Sequence, residues 1–446
     1  KALAVTHSLT FVIDKVGNII IYVPGRNGRE KDEPLLIQNH VDMVTDALPG
    51  RNINFKKDPI EVFVEDGWLK ARGTTLGADN GIGCAAALAT IFDDSLVHPP
   101  LELLFTVDEE TGLNGALGLE HKYLSAKKML NLDTEEWGSL YIGCAGGIDY
   151  ELNREYSLEK RNKDLSTYKL EISNFIGGHS GVDIHEQRGN ALQFLAEYLN
   201  QINEEIDFEI SEIRAGKAHN IIPRDAFALI KIDSSSSDEV MKIGEKLKLK
   251  WLSYLPKIDQ GIEVSLTEHS ENSKVLSASD KDDLISYMVL FPHGVHSYDL
   301  ADSSLVSMSN NFARFLCVNG KVYTQSSLRF FDREEVRSLE TRIKHLGKLF
   351  KMEVENHSEY PSWKPVRENS VLDSVKAVYQ DLYQEAPVVT AIHAGLECGI
   401  LRDKIGPIDV VSFGPTITGA HSPDERVNIP SVDKFWEFFK KVLTKI

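Results

Sequence analysis

Histidine and carboxylate side chains stand where apolar runs of this 446-residue sequence end. His40 and Asp42 follow "PLLIQN", Asp108, Glu109 and Glu110 follow "LELLFTV", and Asp133 closes "KKMLNLD". Asp79 opens the small-residue segment "GADNGIGCAAALATIF", and His421 lies far downstream in "GAHSPDE". Neutral imidazole and ionised carboxylate are the donors expected for zinc or a similar divalent ion. His40, Asp79, Glu110, Asp133 and His421 are more donors than one catalytic zinc needs if it keeps an open position. They suit two ions about 3.5–4 Å apart that share a carboxylate and a water. Three adjacent acids cannot all ligate from one strand end, because successive side chains point to different faces. One can ligate while its neighbour faces the water as general base. Taken singly, each residue is more often a cap or a solvated turn than a ligand. Their joint occurrence at successive strand ends is what points to a carboxylate-rich metal hydrolase.

Such a site needs elements that bring distant positions together. "LTFVIDKVGNIIIYVPG" reads as strand, turn, strand, and "PLLIQNH" as a buried strand. "GADNGIGCAAALATIF" changes to a helical period, and "LELLFTV" and "KKMLNLD" are further strands. Strands alternating with helices imply an α/β fold, a mainly parallel layered domain. In such sheets ligands lie outside the carboxyl ends of the strands, where these polar residues are delivered. From about Thr167 the pattern shifts to "TYKLEISNFIGGHSG", a helix through "GNALQFLAEYLNQI", and strands "IIPRDAFALIKI" and "VYTQSSLRFF". "SSSSDEV" reads as a loop or helix cap, and "VLDSVKAVYQDLY" resumes the α/β pattern. The expected organisation is a catalytic domain in two parts, residues 1–166 and 369–446, carrying an inserted α+β lid and dimerisation domain at 167–368.

Composition narrows the partners. With 42% hydrophobic and 26% charged residues this is an ordinary globular protein, and its length suits two domains. A formal net charge of -18 argues against nucleic acid and anionic membrane, both of which need a basic footprint. Cys84, Cys144, Cys317 and Cys398 are scattered without CxxC pairing, so neither a disulfide framework nor a thiolate zinc site is suggested. No apolar run is long enough to span a bilayer and no signal-like segment opens the sequence, so a cytoplasmic location is expected.

Longer motifs carry a resemblance. "NHVDMV", "GTTLGADNGIG", "DEETGLNGALGL", "LNLDTEEWGSLYIGCAGG", "GGHSGVDIHEQRGNA", "NIIPRDAFA", "IHAGLECGI" and "SFGPTITGAHSPDE" succeed one another through almost the whole chain. In this order they resemble the aminoacyl-histidine dipeptidases, of the cocatalytic zinc peptidase family that also contains carboxypeptidase G and aminoacylase. The resemblance implies that His40 and Asp133 hold one zinc, Glu110 and His421 the other, and Asp79 bridges them. Manganese or cobalt would be accepted by the same donors. Glu109 matches the general base and acid, which takes a proton from the bridging water and passes it to the leaving amine. Asp42 matches a carboxylate that orients a ligating imidazole. Asp108 has no equivalent role and reads as a turn residue or outer acid.

In the insert, the resemblance makes His179 the lid histidine that reaches the oxyanion, commonly from a partner subunit. Asn220 and Arg329 match positions that bind substrate oxygen or carboxylate. Gly395 would let backbone N–H groups approach the substrate carboxylate. His185, His393 and Glu397 are as readily structural. The peptide between Asp79 and Asn80 would be cis, and a homodimer would form through the insert. The implied activity is metal-dependent hydrolysis of unblocked dipeptides, Xaa-His substrates included. A broader dipeptidase or tripeptidase, an N-acyl amino acid hydrolase, and a noncatalytic peptide-binding homologue remain the alternatives.

Overall fold

The run "LLIQNH" forms the fully buried strand Leu35–His40, and two strands flank it in parallel, the equally buried Leu101–Thr106 and Lys128–Asn131, which is buried beyond its first residue. The computed structural model describes residues 1–160, 162, 164–270 and 273–446. These divide into two compact units, one of Lys1–Cys144, Trp363–Ala391 and Gly395–Ile446, the other of Ala145–Ser362 with Ile392–Ala394.

The first unit is built on an eight-stranded sheet. Its order is Thr10–Ile13, Ile19–Val23, Leu101–Thr106, Leu35–His40, Lys128–Asn131, Asp409–Ser412, Ser139–Cys144 and Val388–Ile392. The four central strands pair in parallel. The strand pairs Thr10–Ile13 with Ile19–Val23, Ile19–Val23 with Leu101–Thr106, and Asp409–Ser412 with Ser139–Cys144 are antiparallel, so the expected α/β layering has a mixed sheet. In register, His40 lies opposite Thr106 and Gln38 opposite Asn131. The segments that leave the central strands therefore emerge at one edge of the sheet.

Helices cover this sheet because their apolar residues recur on one face. In Ile429–Lys445, Phe435, Phe438, Phe439, Val442 and Leu443 are buried at the spacing of a single helical stripe. Asn428 caps that helix, its side chain accepting from the Ser431 N–H at 3.0 Å. Helix Ala78–Phe92 lies closer to the strands. A Cβ on Gly83 would collide with the Leu132 carbonyl and the Asn39 side chain, so the small residue permits the approach. A four-stranded sheet, Ile417–Thr418, Arg426–Asn428, Trp68–Ala71 and Val62–Glu65, carries His421 in the turn between its first two strands.

The second unit has a nine-stranded sheet backed by the helices Ala191–Glu205, Ser237–Leu252, Ala278–Leu290 and Arg333–Leu349. All its recorded pairings are antiparallel. It begins before Thr167, where the sequence suggested a boundary. Strand Gly146–Glu155 pairs on one side with Lys321–Phe330 and on the other with Glu353–Tyr360, which binds it to this sheet. "IIPRDAFALIKI" is not one strand: Ile221–Ile222 and Ala226–Ile232 lie on either side of Pro223, which has no N–H for a ladder. "SSSSDEV" is a short turn, Ser234–Ser236, leading into helix Ser237–Leu252. All four cysteines are free, and no helix among the described residues is long and apolar enough to cross a membrane.

Candidate metal centre

His40 ends its strand with 1% of its surface exposed, and its Nε2 faces Asp79 Oδ1 at 3.2 Å and Asp133 Oδ1 at 3.1 Å. A matching arrangement surrounds His421, whose Nε2 lies 3.1 Å from Asp79 Oδ2 and 3.1 Å from Glu110 Oε2. Asp79 thus presents one oxygen to each histidine. The structure brings together His40, Asp79 and Asp133, then Asp79, Glu110 and His421, and also His40, Glu109 and Glu110, as donor groups compact enough for a cation.

The chemistry of the donors tests that fit. Nδ1 of His40 is 3.0 Å from the Asp42 carbonyl, which accepts its proton and turns an unprotonated Nε2 toward two carboxylates. Lone pair facing lone pair requires a positive charge between them, either a proton on the imidazole or a cation. In the protein alone, burial opposes protonation of His40, yet Asp133, Asp42 and Asp79 outweigh it and raise the pKa far above the ordinary value. Asp79 and Glu110 push His421 up to about 11. Glu110 Oε1 is buried without a hydrogen-bond donor. A mixed imidazole and carboxylate set with such unmet demand fits a divalent ion.

Asp42 does more than its spacing to His40 suggested. Its carboxylate is 3.7 Å from His40 Nδ1, while its two oxygens accept from the N–H groups of Glu109 at 3.1 Å and Glu110 at 3.0 Å. It therefore holds the acidic turn by its backbone. Asp108 makes that turn possible with φ 53, and its carbonyl accepts from the Asn114 N–H at 3.0 Å. Burial, then Asp133, with Glu397 and Glu110 adding, raises the Glu109 pKa well above the ordinary carboxyl range against the opposing influence of His40. Asn80 anchors the other side by donating to the Leu132 carbonyl at 2.7 Å, next to Asp133. The Asp79–Asn80 peptide is cis.

A second group of the anticipated residues lies in the other unit. Gly178–His179 pairs with Ile221–Ile222, which sets His179 beside Asn220; the Asn220 carbonyl accepts from the Ser180 N–H at 2.8 Å. Nδ1 of His179 accepts from the N–H groups of Gly181 at 3.3 Å and Val182 at 3.2 Å, leaving the proton on Nε2. Arg329 Nη2 is 3.5 Å from that Nε2, and Nη1 donates to the Tyr360 hydroxyl at 3.2 Å. Arg329 is buried, and its Nε has no acceptor. A Cβ on Gly181 would collide with the His393 carbonyl at 2.7 Å and press on the guanidinium at 3.1 Å, which explains a glycine there. Gly395 stands in the turn between strand Val388–Ile392 and helix Glu397–Ile405.

Spacing in the sequence did not reveal some of the supporting residues. Asp259, fully buried, accepts from the N–H groups of Ile176 and Gly189 at 2.7 Å each, and so clips both ends of the His179 loop. Beneath the strand ends runs a polar rung: Gln38 Nε2 and Thr106 Oγ1 donate to Glu397 Oε2 at 2.5 and 2.6 Å, and Asn131 Nδ2 donates to Gln38 Oε1 at 2.5 Å. Ser412 extends the rung by donating to Asn131. Glu397 was expected to be structural as readily as functional; its place in this layer has no local signature beyond an acid after a glycine-rich turn.

Known proteins share this arrangement of sequence and fold. Residues 36–445 match the family described as Peptidase family M20/M25/M40. The chain is 36% identical over 433 residues to the cytosol non-specific dipeptidase of Escherichia coli strain K12, covering 97% of this chain and 89% of that protein. It is similar to the crystal structure of aminoacylhistidine dipeptidase from Vibrio alginolyticus, with TM-score 0.87 and 32% identity over 100% of this chain and 91% of that one. Aminopeptidase PepT from Bacillus cereus shares the fold at TM-score 0.54 and 15% identity, covering 100% of this chain and 91% of that one.

Proposed function

The chain belongs to peptidase family M20/M25/M40 and is a metal-dependent peptidase, and from that premise we propose that it is a dipeptidase acting on unblocked dipeptides, Xaa-His dipeptides among them. The observation that carries the mechanism is Asp79, whose two carboxylate oxygens each face a different histidine. His40, Asp79 and Asp133 would hold one ion, and Asp79, Glu110 and His421 a second. When bound, two zinc ions, or manganese or cobalt on the same donors, would polarise the scissile carbonyl and make a water more acidic.

The remaining work falls to the side chains. Glu109 takes the proton of the attacking water and returns it to the leaving amine; burial and the neighbouring carboxylates raise its pKa, which strengthens it as a base. Asp42 keeps that base aligned by holding the turn's N–H groups. In the second unit, Nε2–H of His179 is the donor for the oxyanion of the tetrahedral intermediate, and Asn220 and Arg329 take substrate oxygens. The unpartnered Nε of Arg329 supports its having an anionic ligand. Gly395 is assigned to the backbone that meets the substrate's free carboxylate.

We further assign the protein to the cytoplasm, in line with its similarity to a cytosolic dipeptidase, and to a homodimer formed through the second unit. The test is a panel of free dipeptides including Xaa-His members, set against tripeptides and N-acetylated amino acids, with bound metal measured on the same protein. Hydrolysis of the free dipeptides at kcat/KM at least tenfold above the other classes supports the proposal. Preference for the tripeptides or acylated substrates would replace it.

A further inference from the structure

We propose that Glu425 is a positioning residue for the metal centre, capping helix Ala78–Phe92 from the turn that carries His421 and so fixing Asp79 and His421 relative to each other. This rests on reading the cluster as a metal centre.

A helix N-terminus leaves its first N–H groups without intrahelical acceptors, and a local side chain usually supplies one. Helix Ala78–Phe92 has no such local cap: Gly77, in the left-handed region at φ 73, has no side chain to offer, and the backbone is not helical at Asp79 (φ -84, ψ 110) or Asn80 (φ -106, ψ 32), so the N–H groups that lead into the helix need acceptors from elsewhere. Glu425 supplies the acceptors instead, from 346 positions away. Its Oε2 accepts from Leu76 at 2.6 Å and Gly77 at 2.9 Å, and its Oε1 from Ala78 at 2.7 Å and Asp79 at 3.3 Å. The last of these donors is the backbone of the residue that faces both histidines.

Glu425 is itself held firmly. Only 3% of its surface is exposed, its N–H donates to the Ser422 carbonyl at 3.0 Å, and the next residue, Arg426, starts a strand paired with Trp68–Ala71. His421 lies four residues before it in the same turn, with its imidazole 3.1 Å from Asp79. Two paths therefore join the same pair of segments, one through the Glu425 carboxylate and one through Asp79 and His421. Loss of the first leaves four N–H groups without their acceptor and lets the helix start move against the turn. The second path would then have to assemble as the ion binds, which lowers affinity.

A cap that served stability alone would behave differently, and a comparable carboxylate provides the control. Glu102 is 4% exposed and accepts from the N–H groups of Ser125 at 2.9 Å and Ala126 at 3.2 Å, near the opposite end of the strand that leads to the acidic turn. The experiment measures zinc affinity by chelator competition on metal-stripped wild type, Glu425→Gln, Glu425→Asp and Glu102→Gln. Thermal unfolding and hydrogen exchange at residues 76–79 are measured on the same metal-free proteins. Both Glu425 variants should bind zinc at least tenfold more weakly and exchange faster at 76–79, while Glu102→Gln melts earlier but keeps wild-type zinc affinity. If Glu425→Gln does not fold, Glu425→Asp, which keeps the charge and retracts both oxygens, decides alone. Zinc affinity within twofold of wild type in the Glu425 variants, or equal weakening in Glu102→Gln, overturns the proposal. Failure of the wild type to bind zinc would instead overturn the metal reading, and this proposal with it.

Discussion

Around His40 and His421 the first unit gathers the carboxylates of Asp79, Glu110 and Asp133, whereas around His179 the second sets an arginine and an imidazole N–H side by side. The strand-end group presents negative charge and lone pairs, which suit the cations proposed for it. The ribbon group presents nitrogen donors, which suit the anionic ligand proposed for it. Their supports differ in the same sense: parallel register and the Gln38–Glu397 rung align the first, and Asp259 clips the backbone of the loop that bears the second. In the proposed reaction the first group generates the nucleophile and the second receives the charge that develops on the carbonyl oxygen.

Removing Glu109, the proposed proton carrier, should break the first group's function while its metal binding persists. Glu109→Gln is expected to lower kcat by about 10³-fold or more while the bound metal stays at the wild-type level, as read by steady-state kinetics and metal analysis on one preparation. The second group should respond more weakly and with a different signature. His179→Ala should cost about 10²-fold in kcat, the order expected for loss of one oxyanion donor, with zinc affinity unchanged. For Arg329→Lys, which keeps the charge but loses the planar fork, KM should rise about tenfold with little change in kcat. A fall in metal content in either ribbon variant would erase the distinction between the two groups.

The smallest effect concerns the rung. Burial, with Asp133 contributing, raises the Glu397 pKa to about 8, although Thr106 and Gln38 oppose the shift. The folded protein therefore holds a proton that the unfolded chain has released once pH exceeds the ordinary carboxyl value of 4.5. That stabilisation is complete below the unfolded value and is lost as pH rises toward 8. In metal-free protein, Tm should fall by a few degrees more between pH 5 and 8 in the wild type than in Glu397→Gln, which keeps a neutral group at the same place. Parallel Tm curves for the two proteins would show that Glu397 carries no such proton.

Sequence alone made the strand-end residues visible, because buried strands are written as unbroken apolar runs and the polar residue after each run stands out. "LELLFTVDEE" and "KKMLNLD" become strands Leu101–Thr106 and Lys128–Asn131, with the acids just beyond them. Glu425, Asp259 and Glu397 offered no comparable signal. Their partners are backbone N–H groups or buried amides brought near only by folding, and nothing in the local pattern distinguishes them from solvated acids. The division between units was equally hidden: Gly146–Glu155 comes directly after strand Ser139–Cys144, yet long-range pairing assigns the two to different sheets. Local periodicity identified the elements, while antiparallel partners far along the chain decided which unit each joined.

As proposed here, two ions held through Asp79 make this chain a dipeptidase. Metal-stripped protein titrated with zinc, with bound metal and hydrolysis of a free dipeptide measured in the same samples, tests it most directly. Activity should climb as ions bind and reach its full value at two per chain. Full activity in the stripped protein, or two bound ions with no hydrolysis of any dipeptide, would rule out that role for the ions.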